Sequence, residues 1–124
     1  GDNAKGQLGL GHLVDAFEPS AVPTTAAPYK FTRVSAGDNF TIALDSAGRV
    51  WSYGGYGGPT CGRGMPLDDM TTVQNAIDFR LKPAGYWWAR PNLVRVLAGH
   101  TVRHLSAGFA HAVAVTATGL VFGW

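Results

Sequence analysis

The chain has 124 residues, of which 46% are hydrophobic and 15% charged, and it contains 17 glycines and 7 prolines. This composition is globular, and the glycines and prolines supply the many short turns of an all-β protein. A net charge of +2 gives no basic surface of the kind that binds nucleic acid or anionic membrane.

The cysteine count and the hydropathy pattern narrow the class of protein further. Cys61 is the one cysteine, which allows no disulfide within the chain and fits a reducing compartment. No apolar run approaches the roughly 20 residues that span a bilayer. We therefore expect an intracellular protein without a membrane partner, and cytoplasm, nucleus, mitochondrion and cilium stay open.

A glycine-rich segment opens the chain and recurs in its middle. Residues 1–11 align with residues 54–64, and they share glycines at 1/54, 9/62 and 11/64. Neither copy has the Lys-Ser/Thr of a phosphate-binding loop or the G-x-G-x-x-G spacing. We interpret both copies as turns and expect no cofactor.

Three strands are predicted in the first half. The first is Phe31–Ala36, and the second is Phe40–Leu44, in which large and small residues alternate. Asp45–Gly48 is then a tight hairpin turn, and the chain returns as a third strand over Arg49–Tyr53.

An insertion at residues 65–89 has a different pattern. Asp68 and Asp69 are predicted to cap a short helix, and an aromatic cluster follows it. The apolar face of this helix comprises Met70, Val73, Ile77 and Leu81. The cluster with its flanking cation comprises Tyr86, Trp87, Trp88 and Arg90.

The second half repeats the first at an offset of 71 residues. Predicted strands are Leu93–Leu97, Val102–Ala107, a strand around Val113 and Val115, and Leu120–Trp124, with a turn at Thr116–Gly119. Self-similarity of this kind indicates an array of one supersecondary unit. We divide the chain into repeat copy one, residues 1–53, and copy two, residues 54–124, with about four short strands each.

The order of these features resembles the repeat of the regulator of chromosome condensation family. The matching features are Gly1-x-Asn3-x-x-Gly6-Gln7-Leu8-Gly9-x-Gly11, a Val-Ser-Ala-Gly turn, an alternating strand, a glycine turn and an aromatic-rich strand. Copy two departs from the pattern at Tyr56, Thr60 and Cys61. Copy one has Phe40 where the family has a histidine, which copy two keeps as His111.

The resemblance implies an all-β fold, part of a seven-bladed β-propeller. We expect about two four-stranded blades with a short helical and aromatic insertion, from a longer protein, since each blade buries its faces against neighbours. Family members are rigid rings whose rim loops and insertions bind proteins, and some are guanine-nucleotide exchange factors for small GTPases.

We therefore expect a non-catalytic protein-interaction scaffold within a multi-protein assembly. One alternative is an exchange factor for a small GTPase, and another is a structural subunit of a ribonucleoprotein or ciliary complex. The expected partners are other protein subunits, a small GTPase under the first alternative, and the remainder of its own propeller.

Candidate site residues fall into two groups. Tyr86, Trp87, Trp88 and Arg90 are predicted partner anchors, since these residue types are enriched at interface hot spots; the alternative is that Trp87 or Trp88 covers its own blade. Gly37, Gly48, Gly108 and Gly119 are predicted in turn conformations that a β-carbon disfavours. His111 is predicted to satisfy buried backbone groups.

No catalytic or metal site is expected. His100 and His104 are four residues apart but bracket a strand, where that spacing does not bring two side chains together. Cys61 occupies an apolar repeat position, and a buried thiol is normally inert.

Overall fold

A computed structural model describes residues 1–23, 30–55, 89–94 and 97–124 of the chain. These residues form two antiparallel sheets, with strand orders β1-β2-β3-β4 and β5-β6-β7. The first sheet contains β1 (Phe31–Ala36), β2 (Phe40–Asp45), β3 (Val50–Gly54) and β4 (Asn92–Leu93), and the second contains β5 (Val102–Ala107), β6 (Ala112–Thr116) and β7 (Val121–Gly123). The predicted all-β fold is confirmed.

The sequence repeat holds in three dimensions at the same offset. Phe31 pairs with Asp45 in the first sheet, and Val102 pairs with Thr116 at the matched place in the second. Both pairings then slip by one residue, so that the same β-bulge occurs in β1 and β5. Such bulges are features of a fold family rather than accidents, and the two sheets are therefore copies of one structural unit.

The fourth strand of the first sheet comes from sequence copy two. Trp51 of β3 pairs with Leu93 of β4, although residues 55–91 lie between these strands in the chain. The strand predicted over Leu93–Leu97 starts one residue earlier in the structure, at Asn92; Val94 and Leu97 lie outside it, and residues 95–96 lie outside the described residues. The boundary between the sequence copies therefore does not coincide with the boundary between the sheets. β4 belongs to sequence copy two, which begins at residue 54, but it pairs in the first sheet.

The core lies between the two sheets. Phe40, Ile42 and Val50 of the first sheet are at most 2% exposed. They face the second sheet, whose buried residues include Val102, Ala112 and Ala114. The alternation in β2 explains this arrangement, since its large side chains all point to one face of the pleat.

The other face of the first sheet is also buried. Ala43 pairs across the sheet with Trp51, and Phe31 meets the Trp51 ring edge-on with centroids 5.9 Å apart. Small Ala43 leaves room for the indole, so the small face of β2 predicted from sequence is where the large aromatic ring packs.

Hydrogen bonds join the two sheets at the β1–β2 and β5–β6 turns and at the β2–β3 hairpin, where the Val102 amide donates to the Gly48 carbonyl at 2.9 Å. The Ala107 amide donates to the Ser35 hydroxyl at 2.9 Å, and the Asp38 amide donates to the Phe109 carbonyl at 3.2 Å. Both sheets are therefore fixed in relative position by polar contacts as well as by the core.

The four repeated glycines serve two different purposes. Gly48 and Gly119 have φ of +79° and +85°, the left-handed conformation expected for these turns. Gly37 and Gly108 do not have positive φ; a β-carbon there would lie 2.1 Å from the Phe40 ring and 2.2 Å from the His111 ring. The second pair is therefore required by close ring packing rather than by turn conformation.

Candidate functional site

The opening loop is organised around Asn3, which is fully buried. Its side-chain amide donates to the carbonyls of His12 and Val14 at 2.8 and 3.0 Å, and its side-chain oxygen accepts from the Leu8 amide at 3.0 Å. Its main-chain amide donates to the Asp15 carboxylate at 2.9 Å. One asparagine thus ties both ends of residues 3–15 together, which explains why the motif requires this residue type.

This loop docks on the first sheet. The Thr41 hydroxyl donates to the Gln7 carbonyl at 2.9 Å. At Gly9, a β-carbon would lie 2.9 Å from the Tyr53 ring, so glycine allows the loop to approach this ring closely. Burial raises the pKa of the Tyr53 phenol, and a hydrogen bond with Thr41 opposes the rise only in part.

The same loop holds the chain where the insertion returns to the sheet. The Gly11 amide donates to the Ala89 carbonyl at 2.7 Å, and Gly6 packs so closely that a β-carbon would lie 2.8 Å from the Ala89 Cα. Ala89 is fully buried. Arg90 is exposed, and its Nε would lie 2.7 Å from a β-carbon on Gly11. The insertion therefore ends on a fixed support formed by the motif loop.

Of the predicted partner anchors, Tyr86, Trp87 and Trp88 lie outside the described residues, and so does the predicted helix face of Met70, Val73, Ile77 and Leu81. Arg90 is described and is exposed beside Gly11. The structure thus brings Arg90 to the motif loop, a neighbour that sequence reasoning did not identify.

A buried carboxylate organises the β2–β3 hairpin. Asp45 accepts from the Arg49 Nε at 2.7 Å and from the Trp51 indole at 2.9 Å, and its second oxygen accepts from the Ala47 and Arg49 amides. Burial alone would raise the pKa of this carboxyl, but hydrogen bonds from Trp51, Arg49 and Ala47 outweigh burial and lower it. Arg49 also lies over the Trp51 ring, 5.2 Å from its centroid.

The second sheet closes its matched hairpin with a neutral group. The Thr116 hydroxyl accepts from the Leu120 amide at 3.0 Å, as Asp45 does from Arg49. The charged network is therefore found in the first of these two sheets and not at the matched place in the second. An ion pair with this structural role gives no indication of catalysis.

The described residues carry no constellation of metal ligands. No three His, Cys, Asp or Glu side chains come together within the described ranges. His111 is exposed and its ring lies over Gly108, and its role in satisfying buried backbone groups stays a prediction. Among the same residues there is no helix with the length and apolar character to cross a membrane.

The outer face of the second sheet is apolar and exposed. Val113 and Val121 are 38% and 69% exposed. At the matched positions of the first sheet stand Ile42 and Val50, which are at most 1% exposed because the second sheet covers them. The second sheet thus presents the same kind of face that the first sheet buries, as expected of neighbouring blades in a propeller.

The fold and motifs have counterparts in a known repeat family. A family model described as the regulator of chromosome condensation (RCC1) repeat matches residues 1–44, and a second RCC1 repeat model matches residues 31–63. Together they cover residues 1–63, just over half of the chain.

Curated proteins with RCC1-like sequence are similar along nearly the whole chain. It is 28% identical to the probable E3 ubiquitin-protein ligase HERC6 of Homo sapiens over 100% of its length, and 25% identical to the ultraviolet-B receptor UVR8 of Arabidopsis thaliana over 96%. It is 27% identical to the RCC2 homolog of Xenopus laevis over 100% of its length. The chain spans only 10%, 22% and 25% of these relatives.

Solved structures show the same fold. The chain superposes with a TM-score of 0.66 on human WBSCR16, at 21% identity, and covers 99% of itself and 27% of that chain. It superposes with a TM-score of 0.69 on Prp20p of Saccharomyces cerevisiae, at 24% identity, and covers 100% of itself and 27% of that chain. The chain belongs to the regulator of chromosome condensation (RCC1) repeat family and forms part of its β-propeller.

Proposed function

We propose that the chain is part of a non-catalytic protein-interaction scaffold, a propeller that carries its insertion as a partner-binding projection. The observation that carries this proposal is the pairing of β3 with β4. Trp51 pairs with Leu93 and Ser52 with Asn92, although residues 55–91 separate these strands in the chain. All four strands of this sheet lie outside the insertion at residues 65–89, so the insertion is available for another role.

The support beneath the insertion favours a binding role. Ala89 packs against Gly6, and the Gly11 amide donates to its carbonyl, so the residue that follows the aromatic cluster is fixed to the opening loop. A binding element on a rigid support loses less conformational entropy on association than a free loop. Trp87 and Trp88 immediately precede this anchor in the sequence.

The relatives support protein partners in general. The Prp20p structure is described with its binding properties to Gsp1p and histones, and a second structure shows Kap60 bound to the yeast protein. The described residues of the present chain carry only structural polar networks. Recognition rather than chemistry is thus the function that fits them.

The test is a double substitution in the full-length protein, Trp87→Ala with Trp88→Ala. Partners are recovered with the unaltered protein and identified by mass spectrometry, and the affinity of each is then measured by calorimetry for both proteins. If the tryptophans are hot spots, binding weakens by about 2 kcal/mol or more while thermal unfolding is unchanged.

The matched control is the pair Trp87→Phe with Trp88→Phe, which keeps apolar aromatic area and should retain most of the binding. A double alanine variant that binds each partner normally would overturn the proposal, and one that unfolds would show that the tryptophans cover their own blade. The interface would then lie elsewhere on the propeller.

Guanine-nucleotide exchange is the second candidate, and the reported binding of Prp20p to Gsp1p favours it. Exchange requires a wedge that displaces nucleotide rather than a catalytic nucleophile, so the same insertion could serve. The test is release of fluorescent GDP from purified yeast Gsp1p by the full-length protein. No acceleration at micromolar protein would argue against this activity toward Gsp1p.

A further inference from the structure

The first strands of the two sheets lie along the inner edge of the propeller. β1 and β5 each stand at the end of their sheet's strand order, so one edge of each pairs with no other strand among the described residues. The Ala107 amide of β5 donates to the Ser35 hydroxyl of β1 at 2.9 Å, so these two strands lie side by side. Because the blades of a propeller radiate from an axis, neighbouring blades approach each other most closely at their innermost strands. β1 and β5 therefore face the central channel.

Three basic side chains are exposed on these strands, and we call them the inner basic cluster: Arg33 of β1, and Arg103 and His104 of β5. No aspartate or glutamate occurs on either strand. Among the described residues, neither guanidinium of the cluster has a carboxylate partner, whereas Arg49 pairs with Asp45 at 2.7 Å. The cluster thus carries positive charge that the described part of the chain does not neutralise.

The two arginines lie beside the junction of β1 and β5. Ser35 reaches β5 from one face of β1, and Arg33, two residues earlier, lies on the same face because side chains alternate along a strand. Arg33 also pairs with Leu44, which packs against the second sheet. Arg103 lies at the β-bulge of β5. The fold therefore brings both guanidinium groups to the same stretch of the inner edge.

The repeat indicates that neighbouring blades leave these positions open. Thr32 and Arg33 are exposed although the second sheet lies on one side of them. Their matched residues, Arg103 and His104, are exposed although the first sheet lies on the other side. Each position is thus exposed both beside a following sheet and beside a preceding one. We therefore expect the cluster to stay accessible from the channel in the full-length protein.

The fold does not require an arginine at residue 103. At the matched bulge position of β1, the Thr32 hydroxyl donates to the Leu44 carbonyl at 3.2 Å and so satisfies a main-chain group beside the bulge. Arg103 has no hydroxyl for this bond, and its guanidinium has no partner among the described residues. The cation is thus an addition to the blade, and arginine is a residue type enriched at binding surfaces.

We propose that the inner basic cluster binds an acidic, extended segment of a partner protein in the central channel. Arginine pairs with a carboxylate through two parallel hydrogen bonds, and the unpaired edges of β1 and β5 offer main-chain donors and acceptors to an extended peptide. A nucleic acid has no such main chain, and a net charge of +2 is small for binding one. The inference rests on the proposed scaffold function, but a probe peptide tests it without involving Trp87 or Trp88.

The experiment uses full-length protein and the blocked peptide acetyl-Gly-Glu-Asp-Glu-Asp-Gly-amide, with titration calorimetry as the readout. We expect a dissociation constant on the order of 0.1–1 mM, as befits a short flexible ligand. Binding should weaken as the salt concentration is raised, because the charges on the channel wall are exposed to solvent. The same peptide with glutamine and asparagine in place of its acids should bind at least about tenfold more weakly.

The protein variants follow from the repeat. Arg103→Thr places the first sheet's own residue in the second sheet, so the fold should tolerate it, and we expect at least about a tenfold loss of peptide binding. Arg33→Gln should cause a similar loss. Arg90→Gln is the matched control, because it removes one exposed cation beside the insertion, and it should bind the peptide normally. The double variant Trp87→Ala with Trp88→Ala should also bind it normally, which separates this surface from the insertion.

No binding of the acidic peptide, an equal loss with Arg90→Gln, or unchanged binding by Arg103→Thr would overturn the proposal. A single-stranded DNA oligonucleotide that binds more tightly than the peptide and competes with it would also overturn the proposal, because the occupant would then be a nucleic acid. If Arg103→Thr does not fold, Arg33→Gln decides: a loss of peptide binding supports the proposal, and unchanged binding overturns it.

Discussion

The ring of Phe40 lies over Gly37 so closely that a β-carbon on the glycine would stand 2.1 Å from the ring. The second sheet repeats the relationship with His111 over Gly108, at 2.2 Å. The two pairs differ in the burial of the ring: Phe40 is 2% exposed, whereas His111 is exposed. The family's histidine position is therefore a ring position, which phenylalanine fills equally well.

We predict that Gly37→Ala and Gly108→Ala both destabilise the full-length protein, since a further sheet would hold the His111 ring over Gly108 as the second sheet holds the Phe40 ring over Gly37. The new methyl group at residue 37 must displace a ring held in the core, and such overpacking costs about 1–3 kcal/mol. Thermal unfolding of both variants and of the unaltered protein measures the loss of stability. Equal stability of Gly37→Ala and the unaltered protein would show that the Phe40 ring is free to move.

The hairpin glycines should respond in a similar way. Gly119→Ala introduces only the strain of positive φ, about 1 kcal/mol, because nothing lies within 4 Å of its β-carbon position. Gly48→Ala adds a clash, since its β-carbon would lie 2.6 Å from Thr101 Cγ2. In the full-length protein, where a further sheet is expected beside Gly119, we expect urea denaturation to show a loss for both variants of at least the strain of positive φ, and unchanged stability of Gly48→Ala would contradict the packing between the sheets.

Asp45 should make stability depend on pH. The pKa of its carboxyl is lowered in the folded state, so its contribution is fully present above about pH 4, the usual aspartate value, and is lost as the pH falls through the folded pKa. Asp45→Asn should cost about 1–3 kcal/mol at neutral pH, because an uncharged amide replaces an ionised acceptor of several hydrogen bonds.

Unfolding measured by denaturant from pH 7 to pH 2 tests this prediction. The gap between the unaltered protein and Asp45→Asn should close at the acidic end. Thr116→Val at the matched, neutral position is the control, and its effect should not change with pH. A constant gap for Asp45→Asn would rule out an ionised carboxylate in this network.

Much of the fold could be predicted from the sequence, because the repeated segments show where equivalent strands recur along the chain. The strands Phe31–Ala36 and Val102–Ala107 agree with prediction to the residue. The assignment of β4 to the first sheet could not be predicted, since the period of a repeat does not reveal which strand edge receives the returning chain. The motif identifies Asn3, but its burial and its hydrogen bonds depend on the loop's three-dimensional path.

The functional surfaces were harder to find. The spacing of Asp45, Arg49 and Trp51 around one hairpin is a sequence signal of the charged network. The exposure of Phe109, where the first sheet has Asp38, could not be predicted, because it depends on how the two sheets meet.

The most direct test of the propeller account is the outer face of the second sheet. In the full-length protein we predict that a further sheet covers Val121 as the second sheet covers Val50, so Val121→Asp should destabilise by about 2 kcal/mol or more, as Val50→Asp does. Leu120→Arg, which introduces the residue that the first sheet has at the matched position, should be nearly neutral. Thermal unfolding of the three variants decides the question: comparable losses for Val121→Asp and Val50→Asp would support the account, and a Val121→Asp variant as stable as the unaltered protein would contradict it.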